Sequence, residues 1–360
     1  MGHKKALIVT DKSLVQFGYV KKVTDILDKS GIAHALFDGV QPNPTVQLIK
    51  DGLAMLNAEN CDCIISIGGG SAHDASKTIG CVKTNGGEVE DYLEDDVVIN
   101  KKAMDLIAIN TTAGTASEVT RVAVVTDPVS KRKFAFKTKH ILAAIAVNDP
   151  ELMTSLPKGL TAGTGMDALT HAVESLVAKT GYTLTEELAL SAIKLIFKYL
   201  PVAVADGSNM EARDAMTYAQ YMAGMSFGNA NCGIVHGMAH AVGGYYNLPH
   251  GLCNAILLPP CMEYNCGSPV AVQKYALMAR TVAPERAKGM SDEEAAKLAI
   301  TMVDELSQTV GTHVHFSELG FKEEDFEEVV EHAMMETWVQ DVNPIEQTPE
   351  AIRAIYRKVL

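Results

Sequence analysis

Asp167 and His171 stand four residues apart, His236 and His240 repeat that spacing, and Pro249-His250-Gly251 adds another imidazole soon after. On a helix, positions i and i+4 share one face. Asp167 and His171 therefore lie together beside the apolar stripe of Leu169, Ala172, Val173 and Leu176. A lone histidine near an apolar face is more often a satisfied core residue than a ligand, and His34 and His73 are read that way. Five metal-type side chains in three clusters are different. Buried without partners they would be costly, so they call for a metal ion or a dense hydrogen-bond network. One carboxylate with several imidazoles suits Zn²⁺, Fe²⁺ or another borderline divalent ion, and the ligand types do not separate these.

A second chemistry is written in the first half of the chain. The apolar run Cys63-Ile-Ile-Ser-Ile67 leads into Gly68-Gly69-Gly70-Ser71 and then into a helical pattern from Ala72 to Cys81. A glycine turn at a helix start lets backbone N–H groups approach a pyrophosphate closely. Three glycines after a strand also make an ordinary tight turn, and this run is not Gly-x-Gly-x-x-Gly. The loop Thr111-Thr112-Ala-Gly114-Thr115-Ala-Ser117-Glu118 follows another apolar strand and offers four hydroxyls. Thr115 or Ser117 could equally cap a helix start. Two polar loops after two strands of one sheet converge at its carboxyl edge, where open α/β sheets bind ligands. Asp11, after the first strand, can accept from ribose hydroxyls and would repel the 2′-phosphate of NADP, so NAD is the expected dinucleotide. The competing reading of Asp11 is a plain turn residue.

The elements that position these groups divide into two kinds. Ala6–Thr10, Ala33–Phe37, Cys63–Ile67, Leu106–Ile109 and Ile141–Val147 are short apolar runs, with helical patterns over Val20–Leu27 and Val46–Leu56. They read as βαβ units feeding a parallel sheet. Asp127-Pro128 suggests a hairpin between Val122–Val125 and the segment around Phe134. Beyond Asp149-Pro150 the β signal gives way to helical spacing, as at Leu188, Ala192, Leu195, Ile196 and Tyr199. Thr161 or Thr164 is expected to cap the helix through Asp167, Pro201 to stop the helix ending at Leu200, and Gly243-Gly244 to end the helix after His240. With 360 residues the chain exceeds the roughly 250–300 that one core sustains. The expected architecture is an α/β dinucleotide-binding domain over residues 1–156 and an all-α metal-binding domain over 157–360.

A hydrophobic share of 47% marks an ordinary folded protein, and 31 Lys and Arg against 44 Asp and Glu give a net charge of −13. That charge excludes a nucleic-acid backbone as partner; the one basic run, Lys131-Arg132-Lys133, is short enough to be a solvated turn. Seven cysteines without a Cys-x-x-Cys pair fit reduced thiols, and no uninterrupted apolar stretch nears the roughly 18 residues of a membrane span. A cytoplasmic enzyme is expected.

The run Gly233-Ile-Val-His236-Gly-Met-Ala239-His240-Ala-Val-Gly243-Gly-Tyr-Tyr-Asn-Leu-Pro249-His250-Gly251 resembles, throughout, the glycine–histidine signature of the iron-containing (group III) alcohol dehydrogenases. Gly68–Ser71 with Asp74 and Lys77, Thr111–Glu118 and Ala162–His171 are also similar to that family's motifs, and Lys5–Gln16 looks nearest its lactaldehyde reductase-type members. The resemblance implies a fold like that of dehydroquinate synthase, with an α/β and an all-α domain. It implies that Asp167, His171, His236 and His250 bind Fe²⁺, with Zn²⁺ as the other candidate, and that His240 lines the active site. It further implies NAD contacts from Asp11, Asn43, Gly68, Gly69, Ser71, Thr111, Thr112, Thr115, Lys133 and Leu152, which lifts Lys133 out of the solvated run.

The implied activity is NAD-dependent interconversion of a small primary alcohol or diol with its aldehyde. The family's dimer is implied as well, although family members carry a segment upstream of the Ala6 strand that supplies dimer contacts and this chain starts without it. Near the C-terminus, Val339-Gln-Asp-Val-Asn343-Pro344-Ile345 stands in place of the family's Cys-Thr-Gly-x-Asn-Pro-Arg, and Val122 and Cys232 occupy pocket positions. A dehydroquinate-synthase-like lyase is the alternative enzyme, and it would show no net change in NADH. A non-catalytic metal- or nucleotide-binding protein is the alternative of another class; it would bind both ligands and oxidise no alcohol.

Overall fold

The computed structural model describes residues 1–93 and 99–360, which form two compact units. Unit one holds Met1–Thr112 and Ala116–Leu152, and unit two holds Ala113–Thr115 and Met153–Leu360.

In unit one, β1 (Lys5–Val9), α1 (Lys12–Gln16), α2 (Tyr19–Lys29), β2 (Ala33–Phe37), α3 (Val46–Ala58), β3 (Cys63–Gly68) and α4 (Gly70–Asn85) follow in alternation. Next come β4 (Leu106–Asn110), β5 (Val122–Asp127), β6 (Arg132–Lys137) and β7 (Ile145–Asn148). The parallel sheet has the order β2-β1-β3-β4-β7. Ala6 to Val9 are fully buried, as a strand covered on both faces requires. Leu7, Val9 and Ile64 point into one core with Ile49 of α3 and Ile79 of α4. Ala6, Ile8, Cys63 and Ile65 point into another with Leu14, Val20 and Leu27. The period of two thus splits consecutive residues between helix layers on opposite faces.

The expected hairpin is present: β5 and β6 pair antiparallel as a separate two-stranded sheet. Asp127 accepts from the Val129 and Ser130 amides across its turn, and Lys131 takes a left-handed φ of 56°. Chain order reverses where β1 pairs with β3, so that carboxyl edge is the point at which open sheets bind ligands.

Unit two is helical: α5 (Lys158–Val177), α6 (Thr183–Ala205), α7 (Met210–Ala230), α8 (Ile234–Tyr245), α9 (His250–Asn265), α10 (Pro269–Val282), α11 (Asp292–Val310), α12 (Phe326–Met334), α13 (Val339–Val342) and α14 (Pro349–Arg357). From Thr161 to Val177 α5 is almost wholly buried, packed on α6, α7 and α9. α6 is long and apolar enough to cross a membrane by composition, yet its Ala189, Ala192, Ile193, Ile196 and Leu200 are buried in the helical core.

Three expected helix boundaries are corrected. α5 starts at Lys158 with Pro157 at the cap position, so Thr161 and Thr164 lie inside the first turns. The Thr161 hydroxyl instead accepts from the buried Arg213 guanidinium at 3.0 Å, and the Thr164 hydroxyl donates to the Leu160 carbonyl at 2.8 Å. α6 continues through Pro201 to Ala205. Loss of one N–H bond and the ring clash oppose this, but Leu200 just before the proline and Ala203 after it are both fully buried, and the core holds the last turn. α8 passes through Gly243-Gly244 to Tyr245, because both glycines are buried inside the core rather than placed at a left-handed cap.

Candidate metal centre and dinucleotide edge

α5 carries Asp167 and His171, the first turns of α8 carry His236 and His240, and His250 is the first residue of α9, with Pro249 setting the chain direction before it. Two glycines permit this approach. A Cβ on Gly251 would lie 2.2 Å from the Gly163 carbonyl oxygen, and one on Gly165 would lie 2.2 Å from Leu200. α9 therefore meets α5 backbone to backbone at the level of Asp167.

The helices bring the predicted ligands together. Asp167 Oδ1 is 3.6 Å from His250 Nε2, 3.8 Å from His236 Nε2 and 4.0 Å from His171 Nδ1. Ligands about 2.1 Å from a tetrahedral ion are separated by roughly 3.4 Å, so Asp167, His236 and His250 form a donor trio of the right spacing, with His171 beside it at 4.0 Å from Asp167. Nδ1 of His171 is buried without a hydrogen-bond partner among the described residues, the condition of a nitrogen reserved for a metal. The ring stacks between Phe227 and His236, with centroids at 4.0 and 4.4 Å.

Burial, reinforced by His236 and His240, holds His171 well below the ordinary histidine pKa, so it is neutral and able to donate a lone pair. For His236 burial acts in the same sense, but the Cys232 thiol and the Glu174 carboxylate outweigh it and raise the ring well above the ordinary value. The field that favours a proton on that ring also favours a metal cation beside it.

Several neighbours escaped the sequence reading. Glu174 Oε2 accepts from His236 Nδ1 at 2.5 Å. Asn254, one turn after His250, donates its amide to Asp167 Oδ1 at 2.7 Å and is fully buried. Both had a signal: Glu174 is at i+7 from Asp167, and Asn254 at i+4 from His250, each on the ligand face. Cys232 can join His171 and His236 in a second donor trio. His240 lies beside the proposed ligands, its ring centroid 5.3 Å from that of His250, the same distance as between His236 and His250. Its Nδ1 lies 3.8 Å from Glu336 Oε2, which accepts from Trp338 Nε1 at 2.6 Å. Val339 and Glu336 pack where a Cβ on Gly237 would stand, so the altered C-terminal segment borders this site.

In unit one, both polar loops meet at the carboxyl edge. Gly68 of β3 pairs with Asn110 of β4, and the Thr111 amide donates to the Gly68 carbonyl at 3.0 Å. A Cβ on Gly69 would lie 2.8 Å from the Thr112 hydroxyl, so the loops touch and leave no room for a side chain. Gly69 caps α4 with no side-chain hydrogen bond, and Ser71 lies half-buried in the first turn, at the positive end of a sixteen-residue helix.

Asp11 caps α1 and accepts from the Ser13 and Leu14 amides, which is the turn-residue role weighed against ribose binding. Asn43 takes a left-handed φ of 56° in the loop before α3. Lys133 is buried on β6 while Lys131 is exposed. Leu152 packs on the Ala6–Ile8 core, and Val122 opens β5. Thr115 belongs with unit two, and Ser117 and Glu118 form a single 3₁₀ turn.

Beneath the loop, the fully buried Lys77 ammonium donates to Ser117, Thr120 and the Val122 carbonyl at 2.9, 3.3 and 2.7 Å, 3.9 Å from Asp74. Burial lowers its pKa to about 8, against the pull of Asp74 and Glu118. His73 hydrogen-bonds Ser66 within the core, and burial followed by the Lys77 charge takes it down to about 3, so it is a neutral core residue as expected.

Comparison with known proteins bears on both halves. Residues 1–150 match the family profile described as iron-containing alcohol dehydrogenase, and residues 161–360 match that of the C-terminal part of the Fe-containing alcohol dehydrogenase family. The chain is 44% identical to a 1,3-propanediol dehydrogenase of Klebsiella pneumoniae, across 99% of this chain and 92% of that protein. It is 42% identical to the lactaldehyde reductase of Escherichia coli K12, with the same coverage. A crystal structure of 1,3-propanediol oxidoreductase superposes with a TM-score of 0.94 at 44% identity, covering 100% of this chain and 93% of that one.

Proposed function

Since the chain belongs to the iron-containing alcohol dehydrogenase family, we propose that it interconverts a small primary alcohol or diol with its aldehyde using NAD, with Asp167, His171, His236 and His250 as ligands of Fe²⁺. The observation that carries this reading is the gathering of three imidazole nitrogens within 4.0 Å of Asp167 Oδ1. A divalent ion bound there supplies Lewis acidity, lowering the pKa of an alcohol or polarising an aldehyde carbonyl.

The chain's own residues do the rest. Asp167 and Glu174 place two carboxylates, each 3% exposed, around the proposed ion, which favours a dication over a monovalent ion. The neutral ring of His171 donates a lone pair while its stacking on Phe227 fixes its plane. His240 is the proton relay. A proton leaving the substrate hydroxyl is held on this ring, and Glu336, 3.8 Å from Nδ1, stabilises the imidazolium. Gly68, Gly69 and Ser71 cradle the pyrophosphate with amides, and Thr111, Thr112 and Thr115 offer hydroxyls, as Asn43, Lys133 and Leu152 offer further contacts. Asp11 selects NAD over NADP with the carboxylate oxygen that does not serve the α1 cap.

The names of the relatives support small diols and hydroxyaldehydes as substrates. Assay of alcohols, diols and aldehydes by NADH absorbance, with metal analysis of the same preparation, should find NAD reduction by short primary alcohols or diols in iron-loaded protein. Binding of NAD and metal without oxidation of any of them would overturn the proposal.

A further inference from the structure

We infer that Glu174 is a positioning residue of the metal centre: it fixes His236 as an Nε2 ligand and supplies the second of two buried carboxylate charges that match a dication. This rests on the metal-ligand reading above. Glu174 is on α5, at i+3 from His171 and i+7 from Asp167, so three polar groups share the α5 face turned to α8. Its side chain is 3% exposed, which makes an unpartnered carboxylate there costly. Both oxygens are used. Oε1 accepts from the Val235 amide at 2.7 Å and the His236 amide at 3.4 Å, and Oε2 accepts from His236 Nδ1 at 2.5 Å.

The two backbone bonds do the work of a helix cap delivered from another helix, since Gly233, at the N-cap of α8, has no side chain to supply one. A Cβ on Gly233 would lie 3.2 Å from Glu174 Oε1 and 2.8 Å from Asn343 Oδ1, so this glycine leaves the space the carboxylate fills. Asn343 also accepts from the Ile234 amide at 3.3 Å, a use for the asparagine retained in the altered C-terminal motif.

The ring bond has a chemical consequence. With Nδ1–H donated to Glu174, the lone pair of His236 lies on Nε2, 3.8 Å from Asp167 Oδ1. A carboxylate behind a ligating imidazole makes the ring a stronger donor and locks its plane. With a metal in place of the proton on His236, the carboxylates of Asp167 and Glu174 would match the charge of a divalent cation within the buried shell.

The test is metal affinity by chelator competition, using Zn²⁺ and Co²⁺ as probes, on wild type and Glu174→Gln, with NAD affinity as the control for folding. The glutamine keeps the shape and one acceptor oxygen but loses the charge. Affinity for both ions should fall by about 10- to 100-fold with NAD affinity unchanged; wild-type metal affinity in the variant would overturn the inference. Failure of wild type itself to bind either ion would sink the metal-ligand reading as well. Should Glu174→Gln not fold, nitrogen-15 histidine spectra of the Zn²⁺-loaded wild type decide. His236 should be protonated at Nδ1 with that proton strongly deshielded, and a ring protonated at Nε2 would refute the assignment.

Discussion

Among single residues, the proposed ligands differ from the groups that support them in what their loss should do. His250→Ala should abolish metal retention and turnover together, as followed by metal analysis and NADH absorbance; a metal-depleted variant with full activity would contradict the ligand role. His240→Ala should keep the metal and lower kcat by roughly a hundredfold or more, the usual worth of a positioned acid–base. Loss of metal in that variant would move His240 into the ligand set. Lys77→Met leaves Asp74 without its buried cation and should cost about 3 kcal/mol in denaturant unfolding; an unchanged midpoint would show that the ammonium contributes nothing. The Asp167-His171 and His236-His240 pairs were legible in the sequence, because i, i+4 spacing is a local property of one helix, whereas the proposed choice of four ligands came from the family resemblance. Glu174 was not, since its carboxylate meets His236 between two helices 62 residues apart, and the clue lay only in its place on the ligand face of α5.

Elements explain how those residues converge. α5 and α9 meet where Gly163 and Gly251 allow backbone contact, so Gly251→Ala must push the helices apart beside Asp167. A destabilisation of about 1–3 kcal/mol is expected from overpacking, with metal affinity weakened as His250 moves off Asp167; thermal melting and chelator competition would measure both. Intact affinity at wild-type stability would mean that the contact yields freely. Four strands and the hairpin were readable because apolar runs and Asp127-Pro128 are local signals, whereas the run expected over Ile141–Val147 becomes a strand only at Ile145, with Lys139–Ile141 in a 3₁₀ turn. The ends of α5, α6 and α8 were not. Thr161 is taken by Arg213, Pro201 is overridden by burial of Leu200 and Ala203, and Gly243-Gly244 serve close packing, and each outcome belongs to tertiary structure rather than to local propensity.

For the whole molecule, the two units carry separate ligand sets, with the proposed metal donors in unit two and most of the proposed NAD contacts in unit one. Chelation should therefore abolish turnover while NAD still binds, as read by titration of the metal-free protein with NAD; simultaneous loss of NAD binding would show that the dinucleotide edge depends on the ion. The central claim, that an ion held by Asp167, His171, His236 and His250 is required to oxidise an alcohol with NAD, is tested most directly by adding Fe²⁺ back to metal-stripped protein and following NADH formation from 1,3-propanediol and other short primary alcohols. No turnover is expected before addition, followed by a rise that saturates at one ion per chain. Undiminished alcohol oxidation by the metal-free protein would contradict it.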